Sequence, residues 1–329
     1  MSPDTGRFGG NMDATLIYNP NSGKGQAKIR AADFAEHWRK EFGTELNMRP
    51  TKSLEDIRVA ARETINSGLQ IFMGGDGTLS ESVQGLCEHN DFKGLARPVG
   101  LLPGGTGNSF LRDFGIEDYE QARDALLSAV KSDTALNIDL AIIKYLECTP
   151  EKPERGPEKR RITFNFWGIG LISDITALAI KMRAIGSLNY SLATIVKLLR
   201  HRPMVIDAEI DGKRENLECN FITVSNSRYT GGAMEIAPEV RVNDGKLYLV
   251  CPQLKSKGQL FGLFPSIFKG THVNHPMIRT QFLQKIKLRS EDPILMNVDG
   301  ELEIGYDPEM QIQPSFWKIY MPAERLKSK

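Results

Sequence analysis

The sequence predicts two joined architectures: an α/β N-terminal domain with a parallel sheet and Gly-rich loops, then a mainly antiparallel β C-terminal domain. Three observations carry this. Over residues 13–137 short apolar runs alternate with helically spaced segments, the pattern of a parallel sheet with crossover helices. Each early apolar run ends in a glycine-rich loop. Over residues 138–329 short β-type runs follow one another, several separated by Asp-Gly pairs, as hairpins require.

In order, residues 1–12 are polar and glycine-bearing and read as a disordered N-terminus. ATLIYNP (14–20) reads as a strand running into the turn NSGKG. From Gln26 to Phe42 the spacing of Ile29, Phe34, Ala35 and Trp38 predicts a helix buried on that face. A second helix is predicted over 54–66, with Ser53 and Asp56 in capping positions. LQIFM (69–73) and RPVGLLP (97–103) are strand-like, followed by GGDGT and GGTGN and then by the helical stretches LSESVQGLCEH and SFLRDFG.

Beyond residue 137, NIDLAIIKYLE, RITFNFWGIG, LECNFITVSNS, GKLYLVC and ILMNVDGELE are typical of the β-type runs. The pairs Asp211-Gly212, Asp244-Gly245 and Asp299-Gly300 mark turns. One helical segment (174–201) interrupts the series, and EKPERGPEKRR (151–161) reads as a mobile hairpin tip.

Composition narrows the function classes. With 42 basic against 41 acidic residues the net charge is +1, which argues against nucleic acid as a partner. The cysteines at 87, 148, 219 and 251 are widely spaced, so neither a C-x-x-C site nor a disulfide framework is indicated. No apolar run has the length of a membrane span, and the opening residues do not resemble a signal peptide. The expectation is a soluble, cytoplasmic protein, with a homodimer left open.

The chemistry is concentrated in loops after strands, where ligands of open α/β sheets bind. These are 19–25, 74–78 and 104–108. Glycine lets backbone N–H groups approach a ligand closely, and helix N-termini favour phosphate. Ser22, Thr78 and Thr106 add hydroxyls to the same loops. The first loop lacks the Walker A spacing, and taken alone it is equally a plain turn. Asp76 among three glycines has no evident packing use. Beside phosphate-binding amides it suits a carboxylate that meets Mg²⁺ bridged through a nucleotide.

GGDGT, then LLPGGTGNSF, preceded by IYNPNSGKG and followed near residue 300 by NVDGE, resembles the diacylglycerol kinase and sphingosine kinase superfamily of lipid kinases. The resemblance runs from Ala14 to Pro322 with the motifs in the family's order. It implies an ATP-dependent lipid kinase with Mg²⁺ as cofactor, transferring the γ-phosphate to a hydroxyl of diacylglycerol or a sphingoid base. Asn19, Ser22, Gly23, Lys24, Gly74, Gly75, Asp76, Gly77, Thr78, Gly104, Gly105, Thr106, Gly107 and Asn108 then correspond to nucleotide-binding positions, as does Arg183. Glu301 matches the family's catalytic base, Asp76 acts in catalysis through the nucleotide's Mg²⁺, and Asp299 is a second metal-ligand candidate. On its residues alone, Asp299-Gly300-Glu301 is also an ordinary hairpin turn.

GLISDITALAIKMRAIGSLNYSL (170–192) resembles the sphingosine kinase segment that lines the lipid-head pocket. Asp174 matches the head-group position, where it would pair with an amine; it equally suits a helix N-cap. Two departures from the bacterial diacylglycerol kinase pattern are Ser109, where Asp is common, and Tyr248, where a second Asp supports a structural Mg²⁺. That second-domain metal is therefore in doubt. The expected partners are a lipid substrate and a membrane surface approached peripherally. The segment 180–202 reads most simply as an amphipathic core helix, whereas GQLFGLFPSIFKG (258–270) suggests membrane or lipid-tail contact. The alternatives are an NAD kinase-like enzyme, which shares GGDGT, and a catalytically inactive lipid- or nucleotide-binding relative.

Overall fold

The computed structural model describes residues 13–105, 107–149, 151–182 and 189–326. The chain forms two compact units. The first comprises residues 1–108, 115–137 and 317–329, and the second residues 109–114 and 138–316.

The first unit contains β1 (Ala14–Tyr18), α1 (Gln26–Phe42), β2 (Asn47–Pro50), α2 (Leu54–Glu63), β3 (Leu69–Gly74), α3 (Asp76–His89) and β4 (Pro98–Pro103). The short α4 (Ser109–Arg112) belongs to the second unit, and α5 (Tyr119–Lys131) returns to the first. The strands run β2-β1-β3-β4, all parallel, with Leu16 beside Ile71 and Met73 beside Leu102. Leu16, Ile17, Ile71, Phe72 and Met73 are buried, so these strands read as continuous apolar runs rather than alternating ones. On α1 the inward face is Ala27, Ala31, Phe34 and Trp38. Ile29, expected on that face, is 63% exposed; two residues from both Ala27 and Ala31, it sits on the opposite side of a 3.6-residue turn. Ser53 accepts the N–H of Asp56 and caps α2, as expected. Neither β2 nor α5 was evident in the sequence. Residues 318–319 pair in parallel with Pro98 and Val99, giving β4 its outer neighbour.

The second unit contains β5 (Ala135–Glu147, from residue 138), β6 (Glu158–Thr163), β7 (Phe166–Gly170), α6 (Leu171–Lys181), α7 (Asn189–Arg200), β8 (Met204–Ile210), β9 (Lys213–Cys219), β10 (Phe221–Ser225), β11 (Tyr229–Thr230), β12 (Met234–Glu235), β13 (Leu247–Pro252), α8 (Lys257–Ile267), β14 (Ile278–Leu283), β15 (Lys285–Arg289), β16 (Ile294–Val298) and β17 (Glu301–Tyr320, to residue 316). The path β14-β13-β10-β7-β16-β17 is antiparallel throughout. Strand alternation divides its two faces. Ile222, Val224, Leu249 and Cys251 join one apolar cluster, while Phe221, Tyr248 and Val250 join another with Leu198 of α7 and Leu260, Leu263 and Ile267 of α8. Residues 158–161, expected in a mobile tip, are the start of β6, and Arg161 is buried beside Glu303. Among the described residues no helix is long and apolar enough to cross a membrane.

Candidate active site

The three glycine loops leave the carboxyl ends of β1, β3 and β4, adjacent parallel strands of one sheet. They interlock through backbone atoms. The Gly104 N–H donates to the Gly74 carbonyl at 2.9 Å, and the Asp76 N–H donates to the Gly107 carbonyl at 2.9 Å. A Cβ on Gly23 would lie 2.5 Å from the Gly104 oxygen, and one on Gly75 would lie 2.7 Å from the Gly107 oxygen. No side chain fits at these contacts. Asn108 fastens its own loop by donating to the Gly105 carbonyl at 3.1 Å, and Asn19 accepts the Asn21 N–H at 3.0 Å.

Two features make these loops receptive to an anion. Residues 23–25 are consecutively left-handed, including exposed Lys24 at φ 58°, a conformation a non-glycine residue adopts at a cost. Helix α3 begins at Gly75 and Asp76 with no side-chain cap, leaving its positive end for an external acceptor. Gly107 differs from its neighbours. Its φ is not left-handed and a Cβ there would meet nothing within 4 Å, so neither strain nor packing demands glycine, and open approach to the backbone is what glycine provides. Thr78 is buried against Gly74. Thr106, between Gly105 and Gly107, lies outside the described residues.

Glu301 is placed by a different device. Asp299 and Gly300 form the two-residue link between β16 and β17, with φ of 51° and 99° and Val298 opposite Glu301. This is the left-handed pair of a tight hairpin. Asp299 is buried and accepts four hydrogen bonds: from the Thr163 hydroxyl at 2.8 Å and from the N–H groups of Phe164, Asn165 and Phe166 at 3.1, 3.1 and 2.9 Å. Its own N–H donates to the Phe166 carbonyl. Asn297 accepts the Gly300 N–H at 2.8 Å and donates to Thr176 of α6, also at 2.8 Å. The turn is thereby pinned to the 163–166 loop and to α6. Burial pushes the Asp299 carboxyl up to about 6, against the lowering by its donors.

Asp299, a metal-ligand candidate in the sequence, meets protein donors here, one oxygen accepting three hydrogen bonds and the other accepting one. Glu301, half-buried, carries no side-chain hydrogen bond or ion pair among the described residues. Two residues along the strand, Glu303 is fully engaged by Tyr145, Lys159 and Arg161. Thr163, Asn297 and Thr176 were not singled out from the sequence; the only signal was Asn297 lying two residues before the Asp-Gly pair.

Asp174 is not the N-cap of α6. The helix starts four residues earlier at Gly170, which has φ 76° and no capping side chain. Asp174 lies 3.5 Å from Lys197 of α7 and is 48% exposed. Both line a cavity of about 530 Å³ with Leu178, Arg200, His201 and Arg202. Burial holds the His201 imidazole below its ordinary pKa, with Asp174 opposing. Arg183 lies outside the described residues.

Of the two departures from the bacterial pattern, Ser109 accepts the Gly232 N–H at 2.8 Å, and Tyr248 is buried in the helix-side cluster. Asp113, missed in the sequence, is buried and bonded to the Arg228 Nε at 2.9 Å, with burial pushing it up to about 6. Among the described residues no group of three or more His, Cys, Asp or Glu could hold a metal ion. The glycine loops with Asp76 do fit a Mg²⁺ carried in by a nucleotide, because phosphate oxygens would supply most of its ligands.

This chain of parallel strands ending in interlocked glycine loops, followed by an antiparallel β unit, is similar to known phosphotransferases. Residues 13–142 match the diacylglycerol kinase catalytic domain, and residues 168–321 match the YegS C-terminal NAD kinase beta sandwich-like domain. The chain is 28% identical to the diacylglycerol kinase of Bacillus subtilis (strain 168) over 295 residues, covering 88% of this chain and 89% of the relative. It is also 28% identical to the diacylglycerol kinase of Mycobacterium tuberculosis over 313 residues, covering 94% of each. A crystal structure of a candidate diacylglycerol kinase from Bacillus anthracis str. Sterne shares the fold, with TM-score 0.74, 23% identity, and coverage of 97% of this chain and 98% of that one. The chain thus carries a match to the diacylglycerol kinase catalytic domain followed by one to the YegS C-terminal domain, and its similarity to curated kinases supports phosphotransferase activity.

Proposed function

We propose that the protein transfers the γ-phosphoryl group of ATP, with Mg²⁺, to a hydroxyl of diacylglycerol. The observation that carries the nucleotide half is the interlocked loop triad, with its open backbone at Gly107. In this reading the N–H groups of the loops and the N-terminus of α3 hold the phosphates. Bound Mg²⁺ would supply charge neutralisation on the transferring group. Asp76 would orient that ion through the nucleotide, and Asn19, Ser22, Lys24 and Thr78 would frame the phosphates.

Glu301, unpartnered on a pinned turn, takes the proton of the acceptor hydroxyl as its oxygen bonds to the γ-phosphorus. The bond from that phosphorus to the ADP oxygen breaks, and ADP leaves with the electron pair. In a loose transfer the base acts mainly by orienting the hydroxyl. Diacylglycerol is favoured over a sphingoid base because the Asp174 charge is already matched by Lys197; a ligand amine would have to displace that partner. The names of the bacterial relatives support the same acceptor.

The test is radiolabelled ATP with a panel of diacylglycerol, sphingosine and NAD in mixed micelles. Label on diacylglycerol is the expected result. Label on NAD alone would favour the NAD kinase-like reading that the 168–321 match brings to mind, and label on nothing would leave an inactive nucleotide-binding relative.

A further inference from the structure

Directly after the third glycine loop the chain changes unit. Residues 109–114 belong to the second unit, which carries Glu301, and residues 115–137 return to the first. What holds these six residues in place is more specific than apolar packing. Ser109 accepts the Gly232 N–H at 2.8 Å. Phe110 is fully buried, its ring edge-on to Phe164 with centroids 5.2 Å apart. Asp113 and Arg228 grip each other's main chain as well as each other's charge. The Arg228 Nε donates to Asp113 Oδ1 and its Nη2 to the Asp113 carbonyl, both at 2.9 Å. The Arg228 N–H in turn donates to both Asp113 carboxylate oxygens at 3.3 Å.

The two residues before Arg228 hold the loop that supplies donors to Asp299. The N–H groups of Asn226 and Ser227 donate to the Asn165 carbonyl at 2.8 and 3.2 Å. The Ser227 hydroxyl bonds Asn165 Oδ1 at 2.7 Å, and the Asn226 amide donates to the Phe164 carbonyl at 3.2 Å. The 163–166 loop therefore works in two directions. It offers carbonyls to residues 226 and 227, and N–H groups to Asp299. From Asp113 to the Glu301 turn the contacts run unbroken through Arg228, Ser227, Asn165 and Asp299.

Stability is a poor reason for such a pair. Asp113 is 4% and Arg228 17% exposed, and taking both charges out of water costs about what their attraction returns. Apolar residues of similar volume would serve the core as well. A guanidinium that grips both the carboxylate and the carbonyl of one residue adds direction, because its fork is rigid and planar.

We infer that Asp113 and Arg228 are positioning residues: their contact fixes the 163–166 loop that orients the Glu301 turn, and ties it to the chain leaving the third glycine loop. The consequence for turnover rests on the proposed role of Glu301. The hold on the turn does not.

The experiment combines a double-mutant cycle on kcat with hydrogen exchange, both on the full chain. R228K keeps the charge and loses the fork. D113N alone leaves the Arg228 charge buried without a partner and is expected to be the least stable variant, so D113N/R228Q, which removes both charges together, accompanies it. R228K and D113N/R228Q are expected to lower kcat toward diacylglycerol by about 10–100-fold, the scale of a misplacement of up to about 1 Å, with ATP KM within about twofold of wild type. Built into E301Q, the same substitutions are expected to change the residual kcat no further, since a group already removed cannot be misplaced. Amide exchange is expected to quicken in peptides covering 163–166 and 297–302 and to stay unchanged in β1.

Equal losses of kcat with and without E301Q would make the pair a general support of the fold and overturn the inference. So would wild-type exchange at both peptides, or full kcat with only a lowered melting temperature. Wild-type kcat in E301Q would instead sink the proposed role of Glu301. Faster exchange at the turn in R228K would in that case still uphold the hold of the pair on it, and unchanged exchange would remove that too.

Discussion

The glycine loops and the Glu301 turn are both held in a fixed conformation, but by opposite means. The loops succeed by what they lack. At Gly23 and Gly75 the backbones of different loops approach so closely that a methyl group has no room. The turn succeeds by what its side chains accept, since one buried carboxylate gathers four donors and one amide bridges to α6. The first device exposes main-chain donors to a ligand. The second consumes them and leaves a single free carboxylate at the surface of the turn.

The largest test of this contrast removes the two carboxylates proposed to act in turnover. Glu301→Gln is expected to lower kcat by about 10²–10⁴-fold with little change in ATP KM, measured by steady-state kinetics. Asp76→Ala should raise the Mg·ATP requirement as well as lower kcat. If both variants showed the same pattern, the division of labour between the two regions would be wrong.

Next come the contacts that admit no side chain. Gly75→Ala is expected to cost about 1–3 kcal/mol of stability and to weaken nucleotide binding, read by thermal melts with and without ATP analogue. Gly107→Ala meets nothing in the protein. Its stability should be unchanged while nucleotide affinity falls, and an affinity equal to wild type would remove the argument for open approach at that residue.

Asp299→Asn sets the Asn amide group, in one orientation, against the Phe164 N–H and is expected to destabilise by about 1–3 kcal/mol. The sign of its pH dependence follows from the raised carboxyl at about 6. Between pH 4 and 6 the unfolded chain has lost this proton while the folded one retains it. Wild-type stability attributable to Asp299 therefore falls as pH rises through that window and is level above it. The asparagine variant lacks the slope, and denaturant melts across the window read the difference. The smallest effect belongs to Asp174→Asn, expected to change diacylglycerol turnover by less than about threefold, within the range of an exposed ion pair.

The two regions also differed in how much of them could be read beforehand. The loops were legible because glycine at fixed spacing after an apolar run is a statement about backbone, and backbone is what they use. Their interlocking was not, since contact between residues 74 and 104 depends on which strands become neighbours. The Glu301 turn was legible as an Asp-Gly hairpin, but the contacts of Asp299 were not. Its donors lie at 163–166, more than 130 residues away in the chain, and nothing local distinguishes a buried acceptor from a metal ligand. On helix α1 Phe34 and Trp38 were placed on the buried face correctly, but Ile29 was added to it because it outweighed the smaller Ala27 and Ala31. The exposed apolar residues of α7, Leu192, Ile195 and Leu199, could not be told from a core stripe by periodicity, which is identical for both.

The route of β17 has a consequence for how the protein is made. Residues 318–319, which flank β4 in the first unit's sheet, are synthesised only after the whole second unit. Until they emerge from the ribosome, β4 presents an unpaired edge, the kind of template on which strands of other chains add. Folding of the first unit is therefore completed last, although most of its residues come first. A nonsense codon shortly before residue 317 would injure the N-terminal unit and leave an aggregation-prone edge, while sparing almost all of the unit that precedes it in the chain.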